Sequence, residues 1–401
     1  FADFTRTLGR VINPNSGPQL LDVFYRRQSN GEYLDIEGNS PSKLTKGGKS
    51  GNKKPSTDAS VLAEREARGC PLATALGKWR KADTAASTLD KWFELVTPEG
   101  KLHTSFNQAR AATGRLSSSD PPLQNVTKDN DDFALRELFI SEDGELLGDS
   151  DQEQLEMRIA ASLSQDRLLL EAINSNRDLH TWTAHKMFGL SYEEIMAAKS
   201  VTKAMLTRHQ ALLLKQRDKS KTLNFGVMYG ETAFLLSKQL GIDVHEAEDI
   251  LETYWTVYSG LKQLFADIHI AASEDFYIQT PLGRRRWIHQ ARVAGLSRKD
   301  YARGMRQAGN MPVQGYGAEI LKGSQLRIYR DDDMWDAGAR MILQVHDELV
   351  IRAPEVLSRD RDFTDRFERY MCYPFGDDRP PLVGVQLAAK LGWGKTWSEA
   401  K

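Results

Sequence analysis

Apolar residues fill two short runs in MILQVHDELVIRAP, residues 341–354, and predict two buried strands. His346, Asp347 and Glu348 interrupt those runs with three titratable groups in a row. Burying unpaired carboxylates is costly, so this strand, turn and strand needs a compensating positive charge. Apolar flanks that fix the backbone, with an acidic tip open to solvent and substrate, make a mount for a divalent cation. A solvated hairpin turn is the other reading, and this stretch alone leaves both open. Earlier in the chain, LLGDSDQEQLEMRIAASLSQD has a related pattern. Leu146 and Leu147 read as a buried strand running into Asp149 and Asp151, and apolar residues recur at helical spacing from Leu155. The acids therefore sit where a strand ends and a helix begins. Two acidic mounts on neighbouring strands favour a shared metal over either turn taken alone. One of the two aspartates is expected to cap the helix.

The rest of the chain is mostly helical in pattern. The first residues read as the end of a helix, and INPNSGPQLLDVFY as turn formers leading into a short amphipathic helix. PSKLTKGGKSGNKKPST, residues 41–57, has almost nothing apolar and predicts a mobile loop; Lys43, Lys46, Lys49, Lys53 and Lys54 are either solvated or a phosphate-binding fringe. Helices are expected over 58–95, a hairpin over TPEGKLHTSFNQ, a strand over 133–140 and a turn at EDGE. Residues 178–240 and 243–276 read as helical, TPLGRRRWI as a turn, and 299–330 as one helix.

Within these elements, three groups of polar residues suggest chemistry. ATGRLSSSDPPLQNV, residues 112–126, offers Arg115, hydroxyls, Gln124 and Asn125, which suit phosphate, sugar or minor-groove hydrogen bonds; an ordinary loop looks similar. Arg217, Lys221, Phe225 and Tyr229 recur every four residues and share a helix face. Two cations followed by two aromatics on one stripe can hold a polyphosphate at one end and stack a base at the other. A core helix would instead set its cations opposite its aromatics. Arg306, Asn310 and Gln314 form another stripe with the same spacing, polar throughout, for which nucleic acid is one candidate partner.

Composition narrows the setting more than the function. The chain has 401 residues, 27% charged and 40% apolar, enough for two or three lobes around a sizeable core. With a net charge of −1, any contact with a polyanion must come from clustered charge. Cys70 and Cys372 are the only cysteines, without metal-site spacing, and fit a reducing interior. No apolar run approaches ~18 residues, so no membrane span is expected, and no charged-then-apolar leader opens the chain. The start at Phe1 suggests a piece of a longer protein.

Taken together and in order, these motifs resemble the polymerase part of family A DNA polymerases, the group of bacterial DNA polymerase I and related phage enzymes. The resemblance runs from about residue 11 to the C-terminus. The family's TATGRLSSSDPNLQN appears as ATGRLSSSDPPLQN, and its DYSQIELR as DQEQLEMR. Its R-x-x-x-K-x-x-x-F-x-x-x-Y-G helix lies at 217–230, NMPVQG at 310–315, and the final motif reads QVHDEL. The implied fold is α+β, a right hand with an antiparallel-sheet palm (125–176 and 301–401), helical fingers (177–300) and a partial helical thumb (1–124). The implied reaction is template-directed addition of deoxynucleotides to a primer 3′ end. Asp151 and Asp347 would hold two Mg2+ ions, for which Mn2+ can substitute, assisted by the Gln152 carbonyl, with Glu348 close by. Arg217 and Lys221 would grip the triphosphate, with Lys221 also catalytic. Phe225 and Tyr229 would border the new base pair, Gln154 and His180 would belong to the nucleotide pocket, and Glu156 would exclude a ribose. Arg115, Gln124, Asn125, Lys128, Arg306, Asn310, Gln314 and His346 would contact primer and template.

The same resemblance implies a monomer in the cytoplasm of a bacterial or phage-infected cell, an organelle being the alternative. Its partners would be primer-template DNA and deoxynucleoside triphosphates, with no membrane and with replisome partners unnamed. There are departures. Gln152 and Glu153 replace the usual Tyr and Ser, which puts the lining of the sugar pocket in question, and an extra segment at 195–214 has no counterpart. The long thumb helices and a preceding proofreading exonuclease are expected to be missing. Glu156 and Phe225 argue against a single-subunit RNA polymerase, and the intact Asp151, Asp347, Arg217 and Lys221 argue against a polymerase-like binding protein without catalysis.

Overall fold

A computed structural model describes residues 6, 9, 11–29, 32–35, 38, 40–45, 54–126, 133–202, 205–292 and 297–401. Most of the expected N-terminal helix end, Lys46, Lys49 and Lys53 of the lysine-rich loop, and Lys128 lie outside the described residues. The chain divides into two compact units, 1–103 and 104–401.

In the first unit, helix Gly17–Phe24 is capped by Ser16 and leads into a small antiparallel pair, Tyr25–Arg27 with Tyr33–Asp35. Helices Ala59–Ala67 and Pro71–Leu95 follow, as the pattern predicts. Leu20, Val23, Phe24, Leu62, Ala73 and Leu76 form the core. Buried Arg65 pairs with Asp35 at 3.5 Å and lies over the rings of Phe24 and Tyr25.

The second unit is built on a four-stranded antiparallel sheet. Its strands are β1 (Glu145–Gln152), β2 (Arg340–Val345), β3 (Glu348–Pro354) and β4 (Ala389–Gly394), in the order β4-β1-β3-β2. At Gly148 in β1 a Cβ would lie 2.8 Å from Ile351 of β3, so only glycine fits that approach. The helical layer contains α1 (Leu155–Ser164), α2 (Leu179–Phe188), α3 (Tyr192–Lys199), α4 (Arg208–Met228), α5 (Arg298–Asn310), α6 (Tyr316–Tyr329) and α7 (Arg361–Cys372). In α7, Phe363, Phe367 and Met371 recur every four residues, and this stripe packs on Leu349, Ile351 and Leu391 of the sheet. A separate core joins Leu155 and Ile159 of α1 to Trp182, Leu223, Val227, Tyr254 and Tyr316.

Several expected elements change. β1 runs on to Gln152, and the N-cap of α1 is Gln154, at φ 51° with no side-chain cap bond, so neither Asp149 nor Asp151 caps the helix. Residues 133–140 form no strand: a short 3-10 turn spans Arg136–Leu138, whose Arg136 is buried toward Glu348, and Ile140 makes one isolated bridge to Thr396. TPEGKLHTSFNQ is not a hairpin. Thr97–Lys101 closes as a tight turn, and Ser105–Asn107 pairs instead with Ser117–Ser119. The helical stretch 178–240 breaks at Gly189 and again before Thr207, whose capping box with Gln210 starts α4 afresh. The helix expected over 299–330 is interrupted by a wide π-type turn, Met311–Gly315, where Pro312 has no N–H to donate. Within TPLGRRRWI, Arg285 and Arg286 belong to a strand, Arg285–Trp287, paired with Tyr277–Gln279. Among the described residues, no helix is long and apolar enough to cross a membrane.

Candidate active site

The two acidic mounts meet. Asp151 stands next to last in β1, and Asp347 lies in the two-residue turn that joins β2 to β3, with His346 at φ 54°. The Gln152 N–H donates to the Asp347 carbonyl at 3.1 Å, stitching the hairpin tip to the end of β1. The two half-buried aspartates therefore flank a single backbone hydrogen bond. Strand pleating turns Gln152 the other way: its side chain is buried, and its Nε2 donates to the Met371 carbonyl at 2.8 Å.

Asp149 and Glu348 lie beneath them in a buried polar knot. Glu348 accepts from Arg136 Nη1 at 3.0 Å, from Trp397 Nε1 at 3.0 Å and from Lys401, while Trp397 Nε1 also reaches Asp149 at 3.2 Å. The Arg136 guanidinium stacks 4.0 Å above the Trp397 ring. Burial, then the charge of Glu348, lifts Asp149 to about 8. Burial also works against ionised Glu348, but Lys401 and Arg136 outweigh it and hold that carboxyl below its usual range. Asp149 thus holds the proton of the pair.

A positive charge suits the exposed side of this knot, because Lys401 Nζ bonds Glu348 and lies 3.8 Å from Asp151. Among the described residues, no group of three or more His, Cys, Asp or Glu forms an all-protein metal cage. Two half-exposed carboxylates with backbone oxygen nearby instead fit a hard cation such as Mg2+, which keeps waters and takes further ligands from phosphates.

Helix α4 supplies the opposite wall. Its Leu213, Leu223, Val227 and Met228 are buried, while Lys221, Phe225 and Tyr229 project outward, the two rings each 43% exposed. Lys221, Phe225, Tyr229, Gly230 and Arg306 line a cleft of about 490 Å³. Gly230 sits at φ 69°, and a Cβ there would lie 2.5 Å from the Arg306 stem. Glu156, in the first turn of α1, accepts from Arg115 Nη2 at 2.6 Å and from the Tyr229 hydroxyl at 3.0 Å, joining three of the motifs. Burial and the charge of Glu156 push the Tyr229 hydroxyl up, against a smaller opposing influence of Arg115 and Gln314. His180 lies 3.0 Å from Asn224, with its ring 5.4 Å from that of Phe225. Burial first, then Arg217 and Lys221 against the opposing pull of Asp178, pushes His180 down to about 4.

The profile of DNA polymerase family A matches residues 2–399. The chain belongs to DNA polymerase family A. Other members with similar sequences include the thermostable DNA polymerase I of Thermus aquaticus, 34% identical over 100% of this chain and 43% of that protein. DNA polymerase I of Mycobacterium tuberculosis is 32% identical over 98% of the chain and 39% of that protein. This family A chain thus spans less than half the length of those relatives. Among solved structures, the POL domain of Pol1 from M. smegmatis, in complex with DNA primer-template and dNTP, superposes with a TM-score of 0.81 at 31% identity, covering 99% of this chain and 63% of that one.

The remaining candidates of the family A motifs are placed unevenly. Gln124 is buried and donates to the Gln344 carbonyl and side chain at 3.1 and 2.7 Å, which ties its loop to β2. Asn125, Gln154 and His346 are exposed, and Arg306 and Gln314 are half-buried. Asn310 Oδ1 is buried without a hydrogen-bond partner among the described residues, so a ligand could satisfy it. Reading the sequence missed Arg136, Trp397 and Asp178. Only Asp178 carried a local signal, as an N-cap acid before LHTW; its side chain accepts from Thr181 N and holds Arg217.

Proposed function

We propose that this chain carries out template-directed DNA synthesis, joining a deoxynucleotide to a primer 3′ end. The observation that carries the reading is the mounting of Asp151 and Asp347 on either side of the Gln152–Asp347 backbone bond. Glu156 and Tyr229 link that mount to the cationic and aromatic face of α4. The M. smegmatis neighbour binds DNA primer-template and dNTP, and the same ligand classes are proposed here. In this reading the four-stranded sheet is the palm, the helices between 177 and 300 are the fingers, and the first unit contributes part of the thumb.

Asp151 and Asp347 would hold two Mg2+ ions, with the Gln152 carbonyl assisting. When bound, the ions offset negative charge on the attacking 3′ oxygen and the leaving pyrophosphate of an in-line displacement. Arg217 and Lys221 grip the triphosphate, and Lys221 can also donate a proton to the leaving group. Phe225 and Tyr229 border the new base pair. Glu156, fixed by Arg115 and Tyr229, fills the space that a 2′-hydroxyl would need. Arg306, Asn310, Gln314, Asn125 and His346 are proposed to meet primer and template. The test is a primer-extension assay with Mg2+, run with deoxynucleotides and with ribonucleotides. Extension confined to deoxynucleotides supports the reading, and no extension with either set rejects it.

A further inference from the structure

Helix α3 lies at the start of the segment for which the family resemblance offers no role, and both of its ends grasp one residue. Tyr192, its first residue, accepts a hydrogen bond through its hydroxyl from the backbone N–H of Asp178 at 2.8 Å. Lys199, its last residue, donates to Asp178 Oδ2 at 2.8 Å. Asp178 in turn receives Arg217 on both oxygens, with Nε to Oδ1 at 3.2 Å and Nη2 to Oδ2 at 2.8 Å. Thr181 N–H adds a further bond to Oδ1 at 2.8 Å. The carboxylate is thus saturated by donors from three helices, and a forked guanidinium bound along one edge has a fixed plane. Arg217 gives Nε and Nη2 to this pair, which leaves Nη1 for another acceptor.

We propose that α3 is a brace and Asp178 a positioning residue, which together present the free edge of Arg217 to the nucleotide triphosphate. This rests on the reading of Arg217 as a triphosphate ligand. An unrestrained arginine loses side-chain entropy when it binds, and the brace, which leaves the Arg217 side chain only 14% exposed, removes that freedom before the nucleotide arrives. Lys199 has a second effect. Without it, Asp178 would neutralise Arg217 one for one; with it, two cations share one anion, and the cluster keeps a net positive charge facing the phosphates.

The experiment is steady-state dNTP incorporation by Lys199→Met, Asp178→Asn, Arg217→Ala and the double variant Lys199→Met with Arg217→Ala. Lys199 is 45% exposed, so its replacement does not threaten the fold. Asparagine at 178 keeps an N-cap but loses the ionic grip. The expected result is a KM for dNTP raised three- to tenfold in Lys199→Met and Asp178→Asn, with kcat within twofold. The Lys199→Met effect should vanish when Arg217 is already alanine. If Lys199→Met raises KM equally with and without Arg217, Lys199 touches phosphate by itself and the brace is overturned. Unchanged KM in both single variants also overturns it, provided Arg217→Ala raises KM. If Arg217→Ala leaves KM unchanged, it is the triphosphate reading of Arg217 that fails.

Discussion

Asp151 sits on a strand paired residue by residue and Asp347 in the tight turn of the neighbouring hairpin, with a buried polar knot beneath them. Lys221, Phe225 and Tyr229 instead sit on the outward face of one helix, tied to the rest mainly by side-chain bonds through Glu156 and, for Arg217, through Asp178. The acid side is fixed by backbone, so its geometry survives the loss of a side chain. On the helix side the backbone is anchored by buried Leu213, Leu223 and Val227, while outward side chains are held by contacts such as Tyr229 to Glu156 that a substrate can trade for its own. That division suits a reaction in which the acids must stay still while the nucleotide is carried to them.

Substitutions on the acid side should therefore separate chemistry from binding. Asp151→Asn or Asp347→Asn should cut extension about a thousandfold, roughly 4 kcal/mol of barrier, while leaving primer-template affinity within a few-fold. The check is single-turnover extension beside fluorescence anisotropy with labelled duplex. Either variant retaining a tenth of parental activity would sink the assignment. Beneath the acids, Arg136→Ala strands buried Glu348, with Lys401 as its remaining cation, and should cost about 3 kcal/mol of stability in urea unfolding. A loss below about 1 kcal/mol would mean that the knot does not hold the sheet end in place.

The contrast also explains what could be read in advance. The hairpin of β2 and β3 was legible because apolar runs around His346, Asp347 and Glu348 leave few alternatives, and the α4 stripe because four-residue spacing fixes a face. Strand alternation alone would have shown that Gln152 points away from Asp151, which leaves the exposed Glu153 as the departure that bears on the sugar pocket. Pro312 in NMPVQG was likewise a visible reason for the break between α5 and α6. Arg136 and Trp397 were not legible. Their partners lie 212 and 49 residues away, and nothing local separates an arginine bound for a buried carboxylate from one bound for solvent. Asp178 was half legible, as a cap but not as the counter-ion of Arg217.

Glu156 belongs to both sides, since it stands on α1 beside the sheet and bonds Tyr229, the C-cap of α4. Glu156→Ala should admit ribonucleotides, improving their relative use by about tenfold, or 1.4 kcal/mol. Glu156→Gln keeps the volume and an acceptor for Tyr229 and should keep most of the exclusion while weakening the bond to Arg115. The comparison is kcat/KM for CTP against dCTP in all three proteins. Equal discrimination in parent and Glu156→Ala would remove Glu156 as the gate.

The smallest effect tests whether the helix side holds His180 neutral. His180 is held down at about 4, chiefly by burial and then by Arg217 and Lys221, against an ordinary value near 6.5. The unfolded chain therefore takes up a proton at this residue as pH falls through about 6.5, while the folded chain does not until near 4. The folded state is favoured in full above that window and loses stability through it as the solution is acidified. Allowing for solvent screening of a partly exposed ring, the loss from His180 between pH 7 and 5 should be about 1 kcal/mol. His180→Gln cannot titrate, so its stability should fall less over the same range, in urea unfolding at each pH. If both proteins lose stability in parallel, His180 is not held neutral in the fold, and its burial together with Arg217 and Lys221 does not outweigh the pull of Asp178.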